Sequence, residues 1–282
     1  MWLRPFCWLI LALLALPAYA DPILGSAGSF GVLGGSAVTN TGPTTINGDL
    51  GVYPGTSITN TNGITINGTA YSGSATPPNN AGAATAQSDA TTAYNGLAGM
   101  SVTTNLTGED LGGLTLTPGV YKFDSSADLT GTLTLNGEGN ENALWVFIIG
   151  STLTTASGPS AASVNVIDAG SNDGIFWDVG SSATLGTTTA FKGNILASAN
   201  ITLDSGATIG CGSALASTGA VTMGTNTIST GCAGGGTITT TGGVPTVTAL
   251  PIAPIPVPEP GIMTLLGSGL LALAGMRRKL CK

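Results

Sequence analysis

An apolar–threonine–apolar triplet recurs in the second half of this chain, as Ala183-Thr184-Leu185, Ile201-Thr202-Leu203 and Val221-Thr222-Met223. The threonines stand 18 and then 20 residues apart. Behind each triplet come a short Gly/Ser/Thr turn and a second apolar position, Phe191, Ile209 or Ile228. A third apolar segment follows twice, as Ile195-Leu196-Ala197-Ser198 and Ala214-Leu215-Ala216-Ser217. Three short strands per period of about 20 residues, divided by glycine-rich corners, specify a β-solenoid, because one such unit cannot bury its apolar side alone. Successive strand residues point to opposite faces, so two inward apolar neighbours turn the central threonine outward. Stacked coils lie ~4.7–4.9 Å apart, so Thr184, Thr202 and Thr222 are expected to form an outward column. Gly150-Ser151-Thr152-Leu153-Thr154 matches Gly180-Ser181-Ser182-Ala183-Thr184 and sets Thr154 at the head of that column. The separation there is 30 residues, which implies an insertion around Ser157 to Ala162 or Asp168 to Gly174.

The same period returns near the start of the chain, where Thr45-Ile46-Asn47-Gly48 recurs as Thr65-Ile66-Asn67-Gly68. One solenoid entered twice is the economical reading. Between the two runs lies the one helical candidate, about residues 80–100. It opens with an Asn80 cap behind Pro77-Pro78. Ala83, Ala86, Ala90, Ala93, Tyr94, Leu97 and Ala98 then give an apolar stripe of helical period, suited to close packing along a solenoid wall. Leu129 to Leu135 alternates strictly, whereas Trp145 to Ile149 is a continuous apolar run expected to be buried on both sides. Cys211 and Cys232 are 21 residues apart, about one coil. That spacing puts them within disulfide reach on neighbouring rungs, and an exported protein favours the bridge over two free thiols.

Charge is scarce: 7% of the 282 residues are charged, against 42% hydrophobic, and there is no histidine. From Asp21 to Pro256 thirteen acidic residues face only Lys122 and Lys192, a net charge of −11. No basic patch can form, which argues against nucleic acid and anionic membrane surfaces as partners. Without histidine there is no Ser–His or Cys–His pair, and the carboxylates are scattered. Glu109-Asp110 reads as a solvated loop pair. Asp173 and Asp178 flank a strand without the repeated carboxylates that a Ca²⁺ site needs. Neither catalytic residues, a cofactor nor a metal site is expected, and the chain does not read as an enzyme.

The ends are distinct. Residues 1–20 carry one charge, an apolar run and an Ala-x-Ala site, a secretory signal peptide cleaved after Ala20. The solenoid is placed at 21–236 and a Thr/Pro-rich linker at 237–256. Then come Pro258-Glu259-Pro260, an apolar segment at 262–276 and Arg277-Arg278-Lys279. This tail, 257–282, resembles the PEP-CTERM sorting signal of Gram-negative bacteria. The resemblance implies export through the inner membrane and recognition by an exosortase. The destination would be the cell surface, the extracellular matrix or the medium. A plain C-terminal anchor is the alternative.

The body also carries a family resemblance. Leu-Gly-Ser-Ala-Gly-Ser-Phe at 24–30, Leu-Thr-Pro-Gly-Val-Tyr at 116–121, Leu-Trp-Val-Phe at 144–147, Phe-Trp-Asp-Val-Gly-Ser-Ser-Ala-Thr-Leu-Gly from 176 and Gly-Asn-Ile-Leu-Ala from 193 resemble the secreted microbial ice-binding proteins. The resemblance implies a mainly β, right-handed, three-faced β-helix with one long α-helix alongside, in which one flat face adsorbs to the surface of an ice crystal. It also implies a loose Thr-Ala/Gly-x-Thr/Asn pattern on that face. Ser205-Gly206-Ala207-Thr208 fits it with Ser for Thr, and Ser181-Ser182-Ala183-Thr184 fits less well. The ice-contacting candidates are accordingly Thr154, Thr184, Thr202, Thr222, Ser205, Thr208, Thr189 and Thr227. A threonine carries a methyl and a hydroxyl on a stiff β-branched carbon, so a column of them is an ordered, weakly polar surface on which water can be organised. The competing reading of the same solenoid is a matrix adhesin that contacts exopolysaccharide.

Overall fold

A computed structural model describes residues 21–72, 80–241 and 244–251. The signal peptide and the sorting tail, with Pro258, Glu259 and Pro260, lie outside the described residues. Three parallel sheets of nine, seven and eight strands form the sides of a β-helix. Along its axis the coils run 104–116, 119–140, 144–169, 174–191, 194–209 and 214–229, and then 30–47 and 49–66. The chain thus enters in the upper part of the stack and winds to one end. It returns along the outside as the helix Ala81–Ala98, re-enters at the far end, and winds back until its last coil meets its first. The extra residues expected between Thr154 and Thr184 lie in a 3-10 turn at Gly158–Ser160, within the first of the two places named, and in a long strand, Ser163–Ala169, that falls mostly between them and is set against only Ala190–Phe191 in the next coil.

Inside the coils the apolar residues stack by type. Tyr121, Phe147, Trp177 and Phe191 form an aromatic ladder with ring centroids 5.5, 3.9 and 4.9 Å apart. The first face, which includes Leu144–Ile149 and Gly174–Val179, is buried on both sides, as the continuous apolar run at 145–149 implied. Its outward residues Leu33, Val120, Val146, Phe176, Leu196 and Leu215 lie under Ala83, Ala86, Ala90, Ala93 and Leu97 of the helix. The four alanines among these positions let the helix backbone approach the sheet closely. The corners between the first and second faces are tight. A Cβ on Gly35 would overlap the Ser217 carbonyl oxygen, and one on Gly55 the Ser36 carbonyl oxygen, so glycine is required at both.

Cys211 and Cys232 are bridged, with their Cα atoms 5.5 Å apart. The bridge holds the segment that leaves the last coil and climbs back across the stack, where Ile175 N and the Asn194 side chain both donate to the Cys232 carbonyl. Residues 237–256, expected as a linker, begin differently. Gly236–Thr241 pairs antiparallel with Val244–Ala249 and with Asp21–Pro22. Val247 is buried there, and Gly96 of the helix lies against Ile238 and Val247. The alternation of Thr with Ile and Val in this stretch encodes a half-buried hairpin, which composition alone hid.

Candidate functional site

The second face consists of three- and four-residue strands, Ala127–Leu129, Leu153–Thr155, Ala183–Leu185, Ile201–Leu203, Val221–Met223, Ala37–Asn40 and Ser57–Asn60. Their pairing is in register at the central residue: Asp128, Thr154, Thr184, Thr202, Thr222, Thr39, Thr59. Six threonines therefore stand in one outward line, with spacing of ~4.8 Å and a length of roughly 24 Å. Ala183, Leu185, Ile201, Leu203, Val221 and Met223 point inward and are buried, which fixes the threonines outward. Threonines that serve the fold use their hydroxyls on it: Thr44 bonds Asn40 and the Gly224 carbonyl, and Thr218 the Ser198 carbonyl. The six in the line have no hydrogen-bond partner among the described residues, so their hydroxyls face water.

A flanking column of small uncharged residues stands two positions earlier in each strand: Ser126, Thr152, Ser182, Asn200, Ala220, Ala37 and Ser57. It is knitted by Thr152 to Ser126 Oγ at 2.8 Å, Asn200 N to Ser182 Oγ at 3.3 Å and Ala220 N to Asn200 Oδ1 at 2.8 Å. No register shift interrupts the pairing of these strands, so the line carries no bulge. Among the described residues the carboxylates of this face are Asp128 at the end of the line, Asp110 bridged to it one rung further out, and Asp204 at the corner beyond Leu203.

The sequence candidates divide among four places. Thr154, Thr184, Thr202 and Thr222 share the line as expected. Thr208 and Thr227 lie on the third face, in a separate column that runs Thr132, Ser163, Ala190, Thr208, Thr227, Thr45, Thr65. Ser205 is exposed on the corner between the two faces. Thr189 is not on the surface: it is 0% exposed, and its hydroxyl bonds Thr155 Oγ1 at 2.7 Å inside the coil. The corner before Ala190 turns it inward. Thr39 and Thr59 complete the line although their triplets read Val-Thr-Asn and Ile-Thr-Asn and so hide the apolar–Thr–apolar pattern. The inward Asn40 is buried all the same, with its amide donating to the Gly42 carbonyl and to Asn60 Oδ1.

The third face is uneven by comparison. Its two long strands, Thr132–Asn140 and Ser163–Ala169, slip register between Asn136 and Asn140. Glu138 and Asp168 take left-handed backbone there (φ 54° and 49°) and carry charge outward. Ala190 also breaks its threonine column. The first face is covered by the helix and holds, among the described residues, one buried carboxyl. Asp178 does not flank its strand but lies within it, between Ile148 and Leu196 of the adjoining strands, and burial pushes its carboxyl up to about 7. Burial, and secondarily the Asp178 charge, raise the Tyr94 phenol above its usual range. Among the described residues no three His, Cys, Asp or Glu side chains gather as metal ligands would.

Residues 32–229 match the model of the ice-binding-like family, and residues 256–279 that of the PEP-CTERM protein-sorting motif. The chain is 47% identical over 258 residues to an ice-binding protein of Nostoc sp. (strain HG1), covering 91% of this chain and 87% of that one. An ice-binding protein of Colwellia sp. is 33% identical over 73% of this chain and 82% of its own. Among solved structures, an ice-binding protein from an Antarctic biological consortium superposes with a TM-score of 0.66 at 45% identity, over 74% of this chain and 91% of that one. The ice-binding protein of the Antarctic ascomycete Antarctomyces psychrotrophicus gives 0.65 at 38% identity, over 74% and 98%.

Proposed function

The chain belongs to the ice-binding-like family, and from that premise we propose that it adsorbs to ice through its second face. The observation that carries the reading is the in-register line of six outward threonines, none of whose hydroxyls has a partner among the described residues. Their methyls order the water against them and their hydroxyls anchor it, at a coil spacing close to a repeat of the ice lattice. Stiff χ1 angles on a β-sheet keep the array fixed before ice arrives, so little side-chain entropy is lost on contact. Adsorbed molecules pin the growing front. Ice between them must curve outward, which lowers the local freezing point. No covalent step enters. The level, threonine-lined second face is favoured over the third, whose bulge and outward carboxylates would hold water in a geometry foreign to the crystal. The sorting tail adds export and release or attachment at the cell surface, with an exosortase as the processing partner.

Thr202→Tyr tests this at the centre of the line. The bulky ring should abolish ice shaping and thermal hysteresis while leaving circular dichroism and the melting point unchanged. Thr39→Tyr, far away in sequence, should do the same, and Thr208→Tyr on the third face should not. Full activity in both Thr202→Tyr and Thr39→Tyr would reject the second face.

A further inference from the structure

The line of threonines ends on one side at Asp128, and nothing in the fold asks for a carboxylate there. Asp128 pairs in register with Thr154, and its neighbours Ala127 and Leu129 point inward and are buried, so its side chain continues the threonine line outward. It is exposed, and it has neither a hydrogen-bond nor a salt-bridge partner among the described residues. The next acid along, Asp110, differs. Its carboxylate takes Gly112 N at 2.6 Å, Thr130 N at 3.0 Å and Thr130 Oγ1 at 2.6 Å, and so builds the terminal turn. Nor is Asp128 needed as a guard against edge-to-edge pairing, since Leu111 N already covers its carbonyl at 3.0 Å. Threonine would also suit the strand better than aspartate. A carboxylate binds its own water shell tightly, and that shell cannot join a lattice ordered by methyls and hydroxyls.

We propose that Asp128 is the end stop of the adsorbing surface, the residue that limits the line to six rungs. The inference rests on the ice-binding reading of the second face and adds what sets its length. The experiment uses the whole chain and reads the concentration that half-inhibits ice recrystallisation, with melting curves as the check on folding. Asp128→Thr adds a seventh rung. The required concentration should fall roughly fourfold, the worth of one further methyl withdrawn from water. Thr154→Asp moves the stop inward by one rung and should weaken activity more than Thr154→Ala. Asp124→Thr is the control, since Asp124 is exposed, paired with Lys122 and outside the line. It should leave activity unchanged. If Asp128→Thr gains nothing over the Asp124→Thr control, or Thr154→Asp is no worse than Thr154→Ala, the end stop is overturned. Loss of activity in Thr202→Tyr would then keep the face while the stop falls. Retention of activity in Thr202→Tyr and Thr39→Tyr removes both.

Discussion

Asp178 gives a quantitative test of how the helix sits on the solenoid. Its carboxyl is 2% exposed, and one of its oxygens has no partner among the described residues. Burial pushes its pKa from 3.8 to about 7. Below about pH 4 the folded and unfolded chains both hold the proton, and the group leaves stability untouched. As the pH rises past that point the unfolded chain ionises first, so stability falls until the folded carboxyl also ionises near pH 7, and it stays low beyond. At about 1.36 kcal/mol per pH unit between the two values, the loss comes to about 4 kcal/mol. Asp178→Asn removes the titration and keeps the shape. It should match the parent at pH 4 and exceed it by about 4 kcal/mol at pH 8, a rise in melting temperature of roughly 10 °C for a chain this size. Thermal melts by circular dichroism at pH 4, 6 and 8 read this directly. Asp178→Leu should show the same pattern, with an added apolar contact between Ile148 and Leu196. Equal melting temperatures of parent and both variants at pH 8 would mean that the carboxylate is solvated, and the close seating of the helix over this rung would be wrong.

Other perturbations reach the rest of the fold. Replacing Cys211 and Cys232 together by serine opens the cross-link between residues 21 apart. It should cost about 3 kcal/mol, seen as a lower urea midpoint. Phe147→Ala takes the central ring from a ladder in which it lies 3.9 Å from Trp177. The cost should be roughly 3–5 kcal/mol by chemical denaturation. Val247→Asp places a charge where the hairpin meets Gly96. It should expose residues 236–251 to protease while ice shaping survives, because the threonine line lies on a different face.

What could be read from the residues was what repeats locally. The period of about 20, the inward-outward alternation of the triplets and the one-coil spacing of the cysteines all follow from side-chain geometry within a single coil. What escaped depends on distant parts meeting. Thr39 and Thr59 join the line only because Val38 pairs with Val221 across 183 residues of sequence, and Asn40, polar yet buried, disguised the inward position beside Thr39. Thr189 departs from expectation for the opposite reason. It stands in a corner, where the strand rule of alternating faces lapses, and a hydroxyl bonded to Thr155 makes its burial tolerable. The hairpin at 236–249 looked like a linker because its apolar residues are few, and the surface they cover belongs to the helix and not to a coil.

The helix also explains how the line stays straight where the chain is interrupted. One helical turn advances about 5.4 Å and one coil about 4.8 Å, so the stripe Ala83, Ala86, Ala90, Ala93, Leu97 can set roughly one apolar residue over each rung it passes. Within that run the helix grips both sides of the junction between the last coil and the first. The Gln87 amide donates to the carbonyls of Ala216 and Ser217 in the coil 214–229, at 3.2 and 3.0 Å. Two residues on, Asp89 accepts from the backbone and hydroxyl of Ser26, at 2.8 and 2.6 Å, in the turn that leads into the coil 30–47. Each coil is therefore held against the same turn of one rigid rod. A slip by one residue would break one of these clamps and, on the far side of the protein, turn either Thr222 or Thr39 inward. The levelness of the threonine face at its seam is set by contacts made on the face opposite.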